Sequence, residues 1–231
     1  MLLNSSKEKT IIIICAMESE IGFFKEEIDI ENTVSICKRK VFEGNYKGNK
    51  VIFTDSGVGK VNGAMLCQGL IDRYHPDIII NSGIAGALDS RLKHLDLVIG
   101  KELTYHDYEL RLLEKYSPFV RTFKADTNLL KKFESIIPDK NYSEGLIITG
   151  DKFVVDTEVK NRLKSDFNAL CVEMEGAAIA HVCFLNDIKF LVIRSISDLA
   201  DSSGDEDYDR FEYVAGKRAA ELTLKFIEFK E

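Results

Sequence analysis

The 231-residue sequence predicts an α/β fold, and three observations support this prediction. First, short apolar runs alternate along the chain with longer segments of helical pattern. Second, the runs are near-continuous stretches of Ile, Val and Leu, which is typical of strands covered on both faces of a sheet. Third, no repeat, low-complexity tract or linker interrupts the chain. We therefore expect a single domain over residues 1–231, with residues 1–9 frayed.

The predicted elements follow one another in order. The strands are TIIIICA, KVIFTDS, PDIIINSG, LDLVIGKELT, GLIITGD, ALCVEM and KFLVIRSISD. The helices are MESEIGFFKEEI, GKVNGAMLCQGLIDRY, TEVKNRLKSDF and EGAAIAHVCFLND. Another helix is expected within residues 122–137, and residues 208–230 predict a closing amphipathic helix because apolar residues recur there among charges.

Composition excludes several classes of protein. The formal net charge of -7 argues against a nucleic-acid partner, because nucleic-acid-binding proteins carry basic surfaces. The apolar run at residues 11–17 has no basic leader and is too short to span a bilayer, so neither a signal peptide nor a membrane partner is expected. The five cysteines form no close CxxC pair, which indicates reduced thiols and a cytoplasmic location. The four histidines are scattered, so we expect no metal site.

Three acidic residues follow predicted strands. Glu20 follows the first strand, Glu175 follows a buried strand and Asp198 ends the last one. Ligands of open α/β sheets bind beyond the carboxyl ends of the strands, where such residues would meet. Taken alone, Glu175 is better explained by interaction with its helix N-terminus, and Asp198 by capping of the segment that follows it. Their convergence indicates a reaction site.

A second acid, Glu173, lies two residues before Glu175 in an apolar run. Burial of an unpaired carboxylate costs several kcal/mol, so both acids need a partner. If a helix begins at Glu175, the two side chains diverge. We then expect Glu173 to be structural and Glu175 to face a ligand.

Other motifs leave alternatives open. The loops SGVGK and NSGIAGA either cradle a ligand or permit close packing, and neither matches a Walker or GxGxxG motif. Phe153 either stacks on a planar ring or fills the core. His106 and Asp107 look like a base and its orienting partner, but no nucleophile elbow accompanies them.

Taken together, several fragments resemble the bacterial 5'-methylthioadenosine/S-adenosylhomocysteine nucleosidases of the purine nucleoside phosphorylase superfamily. The fragments are CAMESE, SGVGKVNGA, INSGIAGAL, YHD, GLIITGDKFV, VEMEGAAIAHVC and IRSISDLAD. The resemblance implies a single-domain, phosphorylase/hydrolase-like three-layer fold with a central mixed β-sheet flanked by helices. It also implies a cytoplasmic homodimer without a cofactor.

The implied reaction is hydrolysis of the N-glycosidic bond of 5'-methylthioadenosine, S-adenosylhomocysteine and 5'-deoxyadenosine, with water as co-substrate. Such a reaction serves methionine salvage and the recycling of methylation by-products. Carried over by the resemblance, Glu20 activates water, Asp198 protonates the purine and Glu175 holds the ribose. The remaining substrate-binding residues implied in this way are Met174, Phe153, Val154, Val58, Ile84, Ala16, Arg194 and Ser197.

The chain departs from the family at two places. NSGIAGA replaces the usual NTGSAGG, which puts Ile84 and Ala87 where the family has a hydroxyl and a glycine. The loop after Asp107 is also shortened, which affects the choice of 5' substituent. Three alternatives stand beside hydrolysis of the thioethers: a phosphorolytic relative, an aminofutalosine-type nucleosidase, and a non-catalytic nucleoside-binding or receiver-like module.

Overall fold

The computed structural model describes residues 8–137, 141–201 and 204–229. The strands in these ranges are β1 Thr10–Cys15, β2 Asp29–Ile36, β3 Arg39–Tyr46, β4 Asn49–Asp55, β5 Ile78–Ala87, β6 Leu97–Tyr105, β7 Phe123–Lys124, β8 Ser143–Thr149, β9 Cys171–Glu173 and β10 Lys189–Asp198. The helices are α1 Glu18–Glu27, α2 Lys60–Tyr74, α3 Leu110–Lys115, α4 Thr127–Ile136, α5 Thr157–Phe167, α6 Gly176–Leu185 and α7 Gly204–Glu228.

The strands form one mixed sheet in the order β10-β6-β8-β9-β5-β1-β4-β3-β2, with β7 paired to β6. A further pairing joins β10 to β5, so that β5, β10, β6, β8 and β9 close into a ring. The parallel pairs include β1 with β4, β1 with β5 and β5 with β10. Their carboxyl ends therefore meet at one edge of the sheet.

Helices cover the sheet in packed pairs. Helix α1 packs against α7 and α2 packs against α6, and all four also contact strands. The central strands are buried along nearly their whole length, since the four isoleucines of β1 and all ten residues of β5 are buried. Continuous apolar runs thus produced strands covered on both faces, and the predicted α/β class with a mixed central sheet is confirmed.

Four elements were not predicted from the sequence. Strands β2 and β3 form an antiparallel hairpin at the sheet edge, and most residues of β2 are exposed. Helix α3 and the two-residue strand β7 lie in the Pro-interrupted region. Within the predicted helical range 122–137, the helix is α4. Asp126 caps it by accepting hydrogen bonds from the backbone N–H groups of Asn128 and Leu129.

The two ends of the chain extend partly beyond the described residues. The predicted fraying of residues 1–9 falls mostly on residues 1–7, which lie outside them. The carbonyl of Lys9 accepts a hydrogen bond of 3.0 Å from Lys50 N. Helix α7 begins one turn before the predicted start, and the predicted end at residue 230 is outside the described range. In the described part of the chain, no helix is long and apolar enough to cross a membrane.

Candidate active site

A cavity of about 500 Å³ opens at the carboxyl ends of β1, β5, β9 and β10. Nine of the eleven predicted site residues line it: Ala16, Glu20, Val58, Ile84, Phe153, Met174, Glu175, Ser197 and Asp198. A slightly larger cavity of about 570 Å³ lies at the opposite edge of the sheet, beside Lys9, Asp77 and Lys189. It contains none of the predicted residues, so the carboxyl-end cavity is the candidate active site.

Glu20 is held by the turn that joins β1 to α1. Its Oε2 accepts hydrogen bonds from the backbone N–H groups of Ala16 (2.7 Å) and Met17 (3.0 Å), and its Oε1 accepts one from Ile84 (3.0 Å). The residue is only 3% exposed. Burial raises the pKa of Glu20, while the charge of Arg194 and the three backbone donors oppose this rise. These donors fix the carboxylate at the cavity wall.

The NSGIAGA segment belongs to β5 and passes directly beneath the two predicted catalytic acids. A Cβ at Gly83 would lie 2.5 Å from Glu20 Oε1, and a Cβ at Gly86 would lie 2.7 Å from Asp198 Oδ1. Both distances are below van der Waals contact. These glycines therefore serve the close approach of carboxylates to the strand, which resolves the alternatives left open for this motif.

Asp198 ends β10 and is 1% exposed. Its Oδ1 accepts a hydrogen bond of 2.8 Å from Ala200 N, and its Oδ2 accepts one of 2.9 Å from the Ser197 hydroxyl. Burial raises the pKa of Asp198 above its usual value despite these two hydrogen bonds. A raised pKa favours the protonated form that an acid catalyst requires.

Glu173 and Glu175 have different surroundings. Glu173 ends β9, and its Oε2 accepts hydrogen bonds from Arg194 (2.6 Å), Gly176 N (2.7 Å) and Glu175 N (3.1 Å). The Thr149 hydroxyl donates a further hydrogen bond to its Oε1. Glu173 therefore stabilises the junction between β9 and α6, as the sequence predicted.

Glu175 precedes α6 and points toward the loop that follows β4. Its Oε1 accepts a hydrogen bond of 2.6 Å from Gly59 N, and it accepts no other among the residues that the structure describes. Burial, with the charge of Glu173 as the second cause, raises the pKa of Glu175 to about 8. The carboxyl thus retains unused acceptor capacity facing the cavity.

Arg194 lies beneath the cavity rather than in its wall. It is 2% exposed and donates hydrogen bonds to Asn81 O (3.0 Å), Ile193 O (3.1 Å) and Glu173. It stands four residues before Asp198 in β10, which corresponds to roughly 13 Å along a strand. Its guanidinium nevertheless reaches Glu173, which lines the cavity, and its direct contact with substrate stays a prediction. Arg194 neutralises the buried acids around it.

The far end of the cavity is aromatic. Phe153 is 44% exposed, and its ring meets the Tyr208 ring edge-on at 5.3 Å. Val154 lines a small adjoining cavity of about 20 Å³ together with Phe153 and Asp198. Phe153 is consequently available for contact with a planar ring, whereas its alternative role as a core residue does not fit this exposure.

Seven residues of the cavity wall were not predicted as site residues: Met17, Ala85, Gly86, Val172, Glu173, Tyr208 and Asp209. The Tyr208 hydroxyl lies 2.9 Å from Met17 Sδ, which joins α7 to the turn before α1. The sequence placed Tyr208 at the start of the closing helix and interpreted that helix only as packing. The available signal was its position ten residues after Asp198, in the second turn of a helix that begins near a strand end.

A metal centre has no support in the described part of the chain, where no group of three His, Cys, Asp or Glu residues is placed to hold an ion.

The fold and the acids at its strand ends are those of a known superfamily. Residues 10–228 match the family model described as the phosphorylase superfamily. The chain therefore belongs to the phosphorylase superfamily, and within it to the 5'-methylthioadenosine/S-adenosylhomocysteine nucleosidases, as its curated relatives indicate. The nucleosidase of that name from Staphylococcus haemolyticus is 34% identical over 223 residues, which cover 94% of this chain and 98% of the relative.

Solved structures agree with this assignment. The S-adenosylhomocysteine nucleosidase of Streptococcus pyogenes, crystallised with 5-methylthiotubericidin, superposes with a TM-score of 0.91 at 31% identity and covers 97% of this chain and 98% of its own. The futalosine hydrolase of Helicobacter pylori superposes with a TM-score of 0.89 at 28% identity, with coverage of 95% and 97%.

Proposed function

We propose that this enzyme hydrolyses the N-glycosidic bond of 5'-methylthioadenosine and S-adenosylhomocysteine, and also that of 5'-deoxyadenosine. The products are adenine and the 5-substituted ribose, and the setting is methionine salvage and the recycling of methylation by-products. The observation that carries the proposal is the meeting of Glu20, Glu175 and Asp198, from three distant parts of the chain, around one cavity.

Asp198 acts on the leaving group. Loss of adenine from ribose passes through an oxocarbenium-like state, in which the purine gains electron density as the bond breaks. A carboxyl with a raised pKa donates its proton to N7 of the purine and so makes adenine a better leaving group. The Ser197 hydroxyl and Ala200 N orient this carboxyl.

Glu20 acts on the water. Burial raises the pKa of Glu20, and its three backbone donors and the charge of Arg194 oppose this rise and so favour the ionised form that a base requires. In that form Glu20 orients a water molecule toward the anomeric carbon and accepts its proton as the new bond forms. Glu175 accepts hydrogen bonds from the ribose hydroxyls with the acceptor capacity that its one hydrogen bond to Gly59 N leaves unused, and so holds the sugar in place.

The remaining predicted residues form the walls around the nucleoside. Phe153 stacks on adenine, and the backbone beside Val154 contacts the base edge. Met174 lies against the ribose. The other wall residues in this proposal are Val58, Ile84, Ala16 and Ser197.

Phosphorolysis is disfavoured by the charge of the cavity. Its wall contains five carboxylates and no lysine or arginine among the described residues. The acids are Glu20, Glu173, Glu175, Asp198 and Asp209. A phosphate anion requires cationic or N–H donors, and this wall would repel it. Water is therefore the co-substrate.

A larger adenine nucleoside is a second candidate substrate. The similarity to a futalosine hydrolase and the shortened loop after Asp107 favour testing an aminofutalosine-type nucleoside in competition with the thioethers.

The decisive experiment measures adenine release from 5'-methylthioadenosine and S-adenosylhomocysteine, with and without phosphate. We expect release without phosphate and no sugar phosphate among the products. Glu20→Gln and Asp198→Asn should each lower kcat by at least ~100-fold, the scale of general acid–base catalysis. Glu18→Gln is the matched control on the same helix, because the Glu18 side chain is 82% exposed. Near-normal rates in both active-site variants would refute the assigned roles.

We also propose a homodimer. Helices α2 and α6 expose large apolar side chains: Val61 (76%), Met65 (43%), Phe184 (41%) and Leu185 (56%). The side-chain amides of Gln68 and Asn186 form a hydrogen bond of 2.8 Å between the two helices. Gln68 lies one turn after Met65, and Asn186 lies one residue after Leu185. This hydrogen bond therefore brings Met65 and Leu185 together. Adjacent exposed apolar side chains of this kind mark protein interfaces.

A cytoplasmic location and a single domain over residues 1–231 complete the proposal. All five cysteines are free, and Cys67 Sγ and Cys183 Sγ lie 3.9 Å apart without a bond. Unpaired neighbouring thiols fit a reducing compartment.

A further inference from the structure

Three loops at the carboxyl-end edge are joined by one charged cluster, which consists of Lys60, Asp107 and Asp151 and is called the Lys60 cluster here. Lys60 Nζ lies 2.6 Å from Asp107 Oδ1 and 3.5 Å from Asp151 Oδ2. Asp151 N donates to Asp107 Oδ2 at 2.9 Å, and Lys60 N donates to Asp151 Oδ1 at 2.8 Å. Each of the three residues thus contacts the other two.

The Lys60 cluster is continuous with the cavity wall. Gly59, the residue before Lys60, donates through its backbone N–H the only hydrogen bond that the Glu175 carboxyl group accepts among the described residues. Val58, one residue earlier, lines the cavity. On the other side, Phe153 lies two residues after Asp151 and also lines the cavity. The cluster therefore stands behind both the ribose side and the base side of the site.

The backbone at Gly59 makes this connection specific. Gly59 has φ of +103°, and a Cβ there would lie 3.1 Å from Asp151 Oδ1. Helix α2 begins at Lys60, and no side chain at its N-cap position accepts a hydrogen bond from the helix. Asp151, from a distant loop, supplies that acceptor for Lys60 N. The Lys60 cluster, and not the loop alone, therefore sets the direction of the Gly59 N–H group.

Asp107 does not orient His106 as a catalytic base. Its oxygens accept hydrogen bonds from Lys60 and Asp151, while His106 Nε2 is buried and accepts or donates none among the described residues. The sequence hypothesis of a base and its orienting partner therefore does not describe this motif. Asp107 of the YHD segment is nevertheless connected to the site through its contacts with Lys60 and Asp151.

We propose that Asp107 is a positioning residue for the hydrolysis: through Lys60 and Asp151 it fixes the Gly59 N–H against Glu175 and the loop that carries Phe153. This inference rests on the function proposed above. Asp107 lies behind the wall and touches no reacting atom. Its effect is on the geometry of substrate binding.

The expected effect is moderate and falls on KM. The side chains of Lys60 and Asp107 are 20% and 24% exposed, so solvent only partly screens their ion pair. Glu175 holds the ribose in both the ground state and the transition state. A loosened Glu175 therefore raises KM while kcat stays nearly constant.

The test is the kinetics of Asp107→Asn with 5'-methylthioadenosine. We expect KM to rise about tenfold, the size of a lost charged hydrogen bond, with kcat within about threefold of the wild type. Asp107→Glu should restore part of the change, because it keeps the charge. Lys101→Met is the control: Lys101 lies on β6, the strand that precedes Asp107, and pairs with Glu144 of β8 at 3.6 Å, away from the cavity.

A purely structural role predicts a different outcome, in which Asp107→Asn lowers Tm but leaves KM and kcat unchanged. That outcome would overturn the proposal. If Asp107→Asn does not fold, Asp151→Asn decides the question, because the Asp151 side chain is 49% exposed and the substitution is milder. An unchanged KM in Asp151→Asn would equally overturn it. A wild-type enzyme that releases no adenine would contradict the proposed function itself, and with it the positioning role.

Discussion

Glu173 and Glu175 show how two acids, two residues apart, acquire different roles from their surroundings. Glu173 ends a strand and accepts four hydrogen bonds, one of them from a buried guanidinium. Glu175 precedes a helix and accepts one. The sequence alone predicted this division, because a helix that begins between the two turns their side chains apart.

The raised pKa of Glu175 leads to a prediction about stability and pH. Its value is about 8 in the folded protein, against about 4.3 in an unfolded chain. A group whose pKa is raised on folding contributes stability that is fully present below the unfolded pKa and is lost as the pH rises through the folded pKa. Between about pH 5 and pH 8 the wild type should therefore lose stability that Glu175→Gln, which does not titrate, keeps.

Thermal unfolding of both proteins across this range measures the effect. The difference in Tm, variant minus wild type, should increase with pH. Glu18→Gln is the control: Lys25 lowers the pKa of the exposed Glu18 carboxyl, so this group is ionised in both states between about pH 5 and pH 8 and its Tm difference should stay constant there. For Glu175→Gln, a Tm difference that stays constant or decreases with pH would contradict the raised pKa of Glu175.

At the scale of elements, the contact of β5 with α1 sets the position of Glu20. Gly83→Ala would place a Cβ 2.5 Å from Glu20 Oε1, so the carboxylate or the strand must move. Since misplacement by about 1 Å can cost 100-fold in rate, we expect kcat to fall by about that factor. Steady-state adenine release measures it.

Gly22→Ala is the matched control, since a Cβ at Gly22, within α1, meets nothing within 4 Å. Alanine favours a helix over glycine by about 1 kcal/mol, so this variant should be at least as stable as the wild type and equally active. Full activity in Gly83→Ala would show that the close approach does not fix Glu20.

The sequence predicted buried elements well and exposed ones poorly. The apolar strands β1, β5 and β10 were located by their Ile and Val runs, because burial on both faces demands such residues. The edge strand β2, with sequence DIENTVSI, is mostly exposed and has no such constraint, so its composition resembles that of a loop.

The candidate site, like the fold, was predicted only in part from the sequence. Acids at strand ends converge as expected, because parallel strands deliver their carboxyl ends to one edge. Tyr208 and Asp209 come from the second turn of α7, whose approach to the cavity is a matter of tertiary packing that no local pattern encodes. Arg194 lies outside the cavity wall, where it pairs with Glu173, and its predicted contact with substrate stays a prediction.

At the scale of the whole molecule, the exposed apolar side chains of α2 and α6 predict self-association. Light scattering should give twice the chain mass of 26.1 kDa. The double variant Val61→Asp, Leu185→Asp puts two charges into the proposed interface and should raise the dissociation constant by at least ~10-fold. Ile30→Asp is the control on the exposed strand β2, where Ile30 is 41% exposed. A wild type that is monomeric at all concentrations would refute the dimer.

The acidic wall of the cavity also determines which metabolites the enzyme leaves alone. AMP, ADP and ATP share the adenosine core of the proposed substrates but carry phosphates at the 5' position. Five acidic residues line the cavity, and no lysine or arginine lines it among the described residues, so a phosphate brought into it would be repelled. We therefore expect adenine nucleotides to be poorer substrates than adenine nucleosides with an uncharged or zwitterionic 5' substituent.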